Sequence, residues 1–387
     1  MQRVAQDWLV LELTHNSGTA LGITTGLQFA PMLLSMYGGL IADRYSKRRI
    51  LMATQALMGG LALVLGLLAL TGVVRIWQVY LLAFALGMVT TVDNPTRQAF
   101  AVEMVGKNGM ANAIALNSAV FNLARIVGPA AAGLVIAAVG TPMAFLINAA
   151  SYGAVILGLK LMRPDELYQA PRAPRSPGQL RLTLDYVRAR PQLWTTMLLV
   201  FFVATFGMNF QVTNALMSKA VFHTGASSFG LASTMFAVGA LGGALVAARR
   251  SRPTLRLMVA MSFAFSVLEV ATGLMPVFWM FALALIPVGL TMLTYTTASN
   301  STTQLNTSAE MRGRVMGLYM MIFLGGTPLG SPLAGWIAED FGPRISMISG
   351  GLISLVATIA VTCLLARMRG THVRSYLRPA ELARIVA

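Results

Sequence analysis

The sequence predicts an all-α integral membrane protein made of two related sets of helices, and three observations lead there. Long apolar runs recur almost to the end of the chain, each near the roughly 20 residues that cross a bilayer core as a helix. Hydrophobic residues make up 56% of the chain and charged residues only 11%, against about 25% charged in an ordinary soluble domain. Most of the 29 Lys and Arg fall in alternate connections and in the tail, which is the positive-inside pattern. The mean hydropathy of +0.69 excludes a soluble fold. The placement of the +16 net charge beside membrane spans excludes a nucleic-acid partner.

Taken in order, residues 4–14 are apolar but too few to span. Spans are expected at 18–42, 50–71, 76–97, 112–139 and 141–162. Four basic residues between the first two of these, Arg44, Lys47, Arg48 and Arg49, set the tip of a tight hairpin in the cytoplasm. Residues 163–192 carry five prolines and six arginines and read as a cytoplasmic linker, with an amphipathic helix near 178–190 lying on anionic headgroups. Spans resume at 193–217, 226–248, 254–275, 276–300, 311–338 and 344–368, followed by a basic cytoplasmic tail, 369–387. The expected units are therefore an N-terminal bundle 1–162, the linker 163–192, a C-terminal bundle 193–368 and the tail. Cys363 is the lone cysteine and reads as a packing residue, and no cleavable signal peptide precedes the first apolar run.

The two sides of the linker resemble one another. At a constant spacing, Val120 and Phe121 fall on Ile322 and Phe323, Gly133 on Gly335, and Gly140 on Gly342. A twofold repeat of this kind places a binding site between the halves. It also matches the first short run with the outer half of the seventh span, so that Asp7 corresponds to Gln211. On that reading helix 1 lacks its inner half, leaving eleven full spans and a partial one. A misplaced start is preferred over a shortened product, because half a helix strands the chain terminus in hydrocarbon.

Ionisable groups inside spans cost about 3 kcal/mol each and call for a reason. Arg3 and Asp7 stand one helical turn apart and are expected to pair. The pair either orients helix 1 or lets Asp7 gain and lose a proton, with Arg125 as a second buried cation. Asp93 and Arg97, also one turn apart around Pro95, read as a structural lock, with Glu103 in the same network. Glu269 is expected near the end of its span, where it can reach the interface. The three histidines are scattered, no His/Cys/acid cluster suggests a metal, and no Gly-Lys-Ser/Thr loop suggests a nucleotide. No cofactor and no enzymatic activity are expected.

The stretch from Gly39 through Asp43, Arg44 and Ser46 to Lys47 and Arg48 resembles the loop 2–3 signature of the major facilitator superfamily, which usually has glycine where Ser46 stands. The resemblance implies the major facilitator fold, two pseudo-symmetric six-helix bundles. It makes Gly39, Asp43, Arg44, Lys47 and Arg48 a conformational latch in which Asp43 docks near Arg312 and Arg314. Ala124, Gly128, Pro129, Ala132 and Gly133 resemble, in part, a helix 5 signature of proton-exchanging exporters; physically, Gly128, Pro129 and Gly133 suit close helix packing. Helices 1, 4, 7 and 10 line the cavity in that family. Gln6, Trp8, Asn209, Gln211, Asn214 and Tyr295 are then the cavity candidates, unless they serve only as interhelical contacts. The segment Gln2–Val10 and the residues Asp93 to Arg97 are similar to the branch that includes bacterial siderophore and drug exporters. The implied function is a monomeric exporter of small amphipathic molecules in the bacterial cytoplasmic membrane, exchanging them for protons through Asp7, tuned by Arg3 and Arg125. An uncoupled lysophospholipid or metabolite facilitator, or an inactive truncated paralogue acting as a membrane partner, is the alternative.

Overall fold

The computed structural model describes residues 1–34, 45–163, 179–248, 254–308 and 310–369. The described backbone is helical: α1 Gln2–Leu13, α2 Gly18–Phe29 with a 3₁₀ turn Ala30–Leu34, α3 Lys47–Leu70, α4 Ile76–Leu161 and α5 Gln179–Arg188. There follow α6 Pro191–Phe202, α7 Phe210–Leu216, α8 Ala226–Ala248, α9 Leu255–Gly273, α10 Phe278–Leu305, α11 Arg312–Asp340 and α12 Pro343–Arg369. Among the described residues, nine stretches are long and apolar enough to cross a membrane. Exposed Leu57, Leu67, Leu81, Leu134, Leu157, Trp279, Leu283 and Val356 lie on those stretches. Such a surface is stable only against lipid.

The helices run back and forth between two faces. One carries Lys47, Arg48, Arg188, Arg190, Arg312 and Arg314 and is called the basic face here. The tight turns at the opposite face require positive φ, at Gly72 (70°), Gly140 (82°) and Gly342 (95°). Glycine adopts that region most readily, and in neighbouring turns His15, Asn16 and His223 also enter it. Gly140 and Gly342 are matched by the internal repeat, so the two sets turn at equivalent places.

Three helices differ from the sequence expectation. α4 holds 86 residues and would be about 130 Å long if straight. Its backbone stays helical where a connection was expected between 97 and 112, and passes Pro95, Pro129 and Pro142 before and after the turn at Gly140. The expected seventh span is broken. α6 loosens into a π-turn at Val203–Gly207, the chain leaves helical geometry at Met208 and Asn209, and α7 loosens again at Met217–Val221. α5 occupies the expected amphipathic position, but its apolar face meets protein instead of headgroups. Val187 is buried and Leu184 packs beside it on the C-terminal helices, while Leu182 stays exposed.

The buried side chains form two large clusters. One joins α6 and α8–α12 around Phe265, Phe281, Leu285 and Tyr295. The other joins α1–α4 around Leu11, Leu21, Leu65 and Phe145, and it also takes Val212, Ala215 and Leu216 of α7, with Phe229 and Ala338. α7 contributes Phe210 to the first cluster and its next turns to the second, so it sits between them. The clusters also meet where backbones touch directly. A Cβ on Gly18 or Gly22 of α2 would collide with the carbonyls of Gly335 or Ser331 of α11. In α4 and α8, a Cβ on Gly133 would lie 2.7 Å from the Ala226 carbonyl oxygen. Small residues let helices approach this closely in lipid.

Candidate functional site

The polar centre of the molecule lies where α1 meets α7. Asp7 is 1% exposed, and Gln211 Nε2 donates a 2.7 Å hydrogen bond to its Oδ2. The two positions that the repeat equates are therefore in contact, as residues beside a twofold axis must be. Arg3 does not form the expected ion pair. Its guanidinium lies 4.7 Å from the centroid of the Phe29 ring, and neither ion pair among the described residues includes Asp7. Arg125 is half-buried on the α4 segment that packs on α8, where Thr234 Oγ1 donates to the Ile126 carbonyl at 3.0 Å.

The cavity candidates separate into two kinds. Gln6 Nε2, Asn214 Oδ1 and Tyr295 Oη are buried without a hydrogen-bond partner. Such atoms are rare in stable interiors and mark places where water or a ligand completes the bonding. Trp8 and Asn209 are already engaged. The Trp8 ring stacks on Phe229 at 6.4 Å, with Lys219 Nζ 4.8 Å from its centroid. Asn209 donates to the Thr205 carbonyl at 2.7 Å and accepts from Ser331 Oγ at 3.1 Å, bracing the break between α6 and α7.

At the basic face, Asp93 is fully buried. Thr54 Oγ1 at 2.7 Å and Gln55 Nε2 at 2.8 Å donate to its Oδ1, and Arg97 pairs with Oδ2. Pro95 does not prevent the i, i+4 pair. Lys47 pairs with Glu103 at 2.5 Å, and Arg48 donates to the carbonyls of Leu159 (2.6 Å) and Lys160 (2.9 Å). Arg48 thus satisfies carbonyls at the end of α4, where a cation also suits the helix dipole. Gly39, Asp43 and Arg44 of the expected latch lie outside the described residues. On the same face, Ser308 N donates to Tyr186 Oη at 3.0 Å. Hydrogen bonding with Ser308 lowers the pKa of that phenol from its ordinary value.

Of the three residues of the expected packing motif, Pro129 and Gly133 lie at a close helix crossing and Gly128 does not. A Cβ on Gly230 would lie 2.5 Å from the Pro129 carbonyl oxygen, and Gly133 makes the approach described above. Gly128 has no atom within 4 Å of its Cβ direction, because it points away from the crossing.

Two carboxylates were misjudged or missed in the sequence. Glu269 does not reach an interface: it is 4% exposed, and its Oε2 has no hydrogen-bond partner. Glu339 joins two helices at the face opposite the basic one. Its Oε2 accepts from Ser17 Oγ at 2.7 Å and from Thr19 N at 2.8 Å, tying the end of α11 to the start of α2. A signal for this existed. Acidic residues oppose the dipole at a helix C-terminus, so Glu339 called for a positive partner, and the free N–H groups of a helix N-terminus supply one.

Comparison with known proteins agrees with this architecture. The model of the transmembrane secretion effector family matches residues 1–381. The chain is 28% identical to the staphyloferrin A transporter of Staphylococcus aureus, with 93% of this chain and 90% of the relative covered. It is 26% identical to the multidrug efflux pump Tap of Mycobacterium tuberculosis, covering 95% and 89%. A bacterial homologue of the human lysosomal transporter Spinster, solved inward-facing and occupied, superposes with a TM-score of 0.70 at 18% identity over 95% of this chain and 94% of that one. The chain belongs to the transmembrane secretion effector family of the major facilitator superfamily, and it is a multi-pass membrane transporter rather than an enzyme.

Proposed function

We propose that the protein exports small amphipathic molecules, of the siderophore or drug class, across the bacterial cytoplasmic membrane in exchange for protons. It works as a monomer whose bundles, 1–162 and 193–368, rock about a site between them, with 163–192 as a cytoplasmic linker. The basic face is then cytoplasmic, and the face sealed by Glu339 is external. The substrate class follows the relatives, one a staphyloferrin A transporter and one a multidrug efflux pump.

The observation that carries the reading is the Asp7–Gln211 contact. A hydrogen bond to an ionised carboxylate is about twice as strong as one between neutral groups. Protonation of Asp7 therefore weakens a bond that joins helices of the two bundles, and loss of the proton restores it. Arg3 and Arg125 tune this equilibrium, and Gln6, Asn214 and Tyr295 offer unpartnered polar atoms to a substrate. The test is substrate accumulation in inside-out vesicles under an imposed pH gradient, acidic inside. Accumulation that collapses when the gradient is removed supports exchange for protons. Accumulation of the same extent without a gradient sinks the coupling while leaving transport.

A further inference from the structure

Glu269 has no role in the mechanism above, and its surroundings are unlike those of a structural carboxylate. It lies near the end of α9 with 4% exposure, and its Oε2 has no hydrogen-bond partner. Across from it stands Gly207, the last residue of the π-turn in α6. A methyl group at Gly207 would be 3.2 Å from Glu269 Oε2 and 2.6 Å from Ser354 Oγ of α12. Ser354 Oγ is itself buried and unpartnered. Two orphan oxygens thus converge on a point where the neighbouring backbone has no side chain, beside a break in a spanning helix. An apolar part of the wall is the fully buried Phe265 ring, whose edge would lie 2.9 Å from that methyl.

Among the described residues, no ion pair balances the carboxylate. The π-turn has no titratable residue, and α10 contributes only Tyr295. On α12, Arg344 donates to the carbonyls of Gly273 and Met275 at 3.1 and 2.6 Å. Cys363 and Arg367 stand at its other end, as does Arg256 on α9 itself. An ionised, unpaired carboxylate in such a wall is far more costly than a neutral one. A desolvated metal cation would need a shell of oxygens, and two oxygens beside an aromatic edge do not make one.

We propose that Glu269 is a second proton-binding site, separate from Asp7, that holds its proton while the α6 π-turn packs against it. The site does not depend on the direction of transport or on its coupling. Ionisation leaves an orphan carboxylate oxygen buried without a partner, so it requires the π-turn to withdraw and admit water. The broken helix and the proton are thereby linked.

The test is infrared difference spectroscopy of the purified full-length chain in lipid nanodiscs at neutral pH, reading the C=O stretch of protonated carboxyl groups. The expected result is a band that persists in Asp7→Asn and is lost in Glu269→Gln. Where Glu269→Gln fails to fold, the wild-type chain made with glutamate carrying ¹³C at the side-chain carboxyl is read instead, and the same band shifts to lower frequency. Absence of the band in the wild type, its survival in a folded Glu269→Gln, or its failure to shift with the label overturns the assignment. A band that appears only when sodium is withdrawn also overturns it, because the site would then hold sodium.

Discussion

The contact most directly open to perturbation is the one that joins α2 and α11 at the face opposite the basic one. Glu339→Gln keeps the shape of the side chain and removes its charge. The carboxylate accepts two hydrogen bonds, from Ser17 Oγ and Thr19 N, at 2.7 and 2.8 Å. Ser17 Oγ is positioned for this because it also accepts from Ala20 N at 3.2 Å as the cap of α2. Hydrogen bonds to a charged group contribute about 1.5–3 kcal/mol when shielded from water, but Glu339 is exposed, and exposed ionic contacts fall to about 0.2–1 kcal/mol. The helix N-terminus adds about 0.3–1 kcal/mol. A total near 1 kcal/mol corresponds to about a fivefold change in the balance between closed and open forms of this face. Spin labels at His15→Cys and Phe341→Cys, in a Cys363→Ala background, read that balance as distance distributions by double electron–electron resonance. The long-distance population should rise about fivefold, and high salt should shrink the difference by screening. A distribution unchanged by the substitution would refute the reasoning and leave the α2–α11 glycine contacts as the whole of the seal.

Other substitutions test separate parts of the structure. Gln211→Leu removes the donor to buried Asp7 and should lower thermal stability at pH values where Asp7 is ionised, by about 1–3 kcal/mol. Asp93→Ala strands Gln55 Nε2 in a buried site at a similar cost, while Thr54 Oγ1 keeps the Leu51 carbonyl at 3.1 Å; Arg97→Ala, whose side chain is 57% exposed, should cost about 0–1 kcal/mol, and equal costs would place the lock at Arg97. Gly289→Ala drives a methyl into the Phe236 carbonyl at the α8–α10 crossing and should cost about 1–3 kcal/mol or more by overpacking. Gly60→Ala, inside α3 with nothing within 4 Å, should raise the melting temperature in detergent slightly, since alanine favours a helix over glycine by about 0.5–1 kcal/mol.

Much of the fold was legible because membrane insertion leaves a coarse, one-dimensional record. Apolar runs placed α8, α9, α11 and α12 within about three residues of their ends. The repeat matched Gly140 with Gly342, where both sets turn, and made Asp7 correspond to Gln211, which the structure shows to be in contact. What it could not convey was helix phase. Whether Gly128 points into a crossing or out of it depends on a rotation of about 100° per residue. The same rotation decides whether Glu269 meets lipid headgroups or the α6 π-turn. Arg3 was read as a partner for Asp7 from spacing alone, but its flexible side chain found the Phe29 ring. The break at Met208 and Asn209 left only a faint signal in Gly207, since no proline marks it. The Asp43 side of the expected latch lies among residues the structure does not describe.

Proton movement through Asp7 is the step that separates proton exchange from uncoupled transport. Inside-out vesicles carrying the protein, acidified within and monitored by a pH-sensitive dye, are challenged with siderophores and amphipathic drugs. Substrate addition should alkalinise the interior, and Asp7→Asn should abolish that response while retaining substrate binding. Alkalinisation that survives Asp7→Asn would contradict the assignment of the coupling proton to Asp7. Transport with no change in internal pH would contradict exchange for protons altogether.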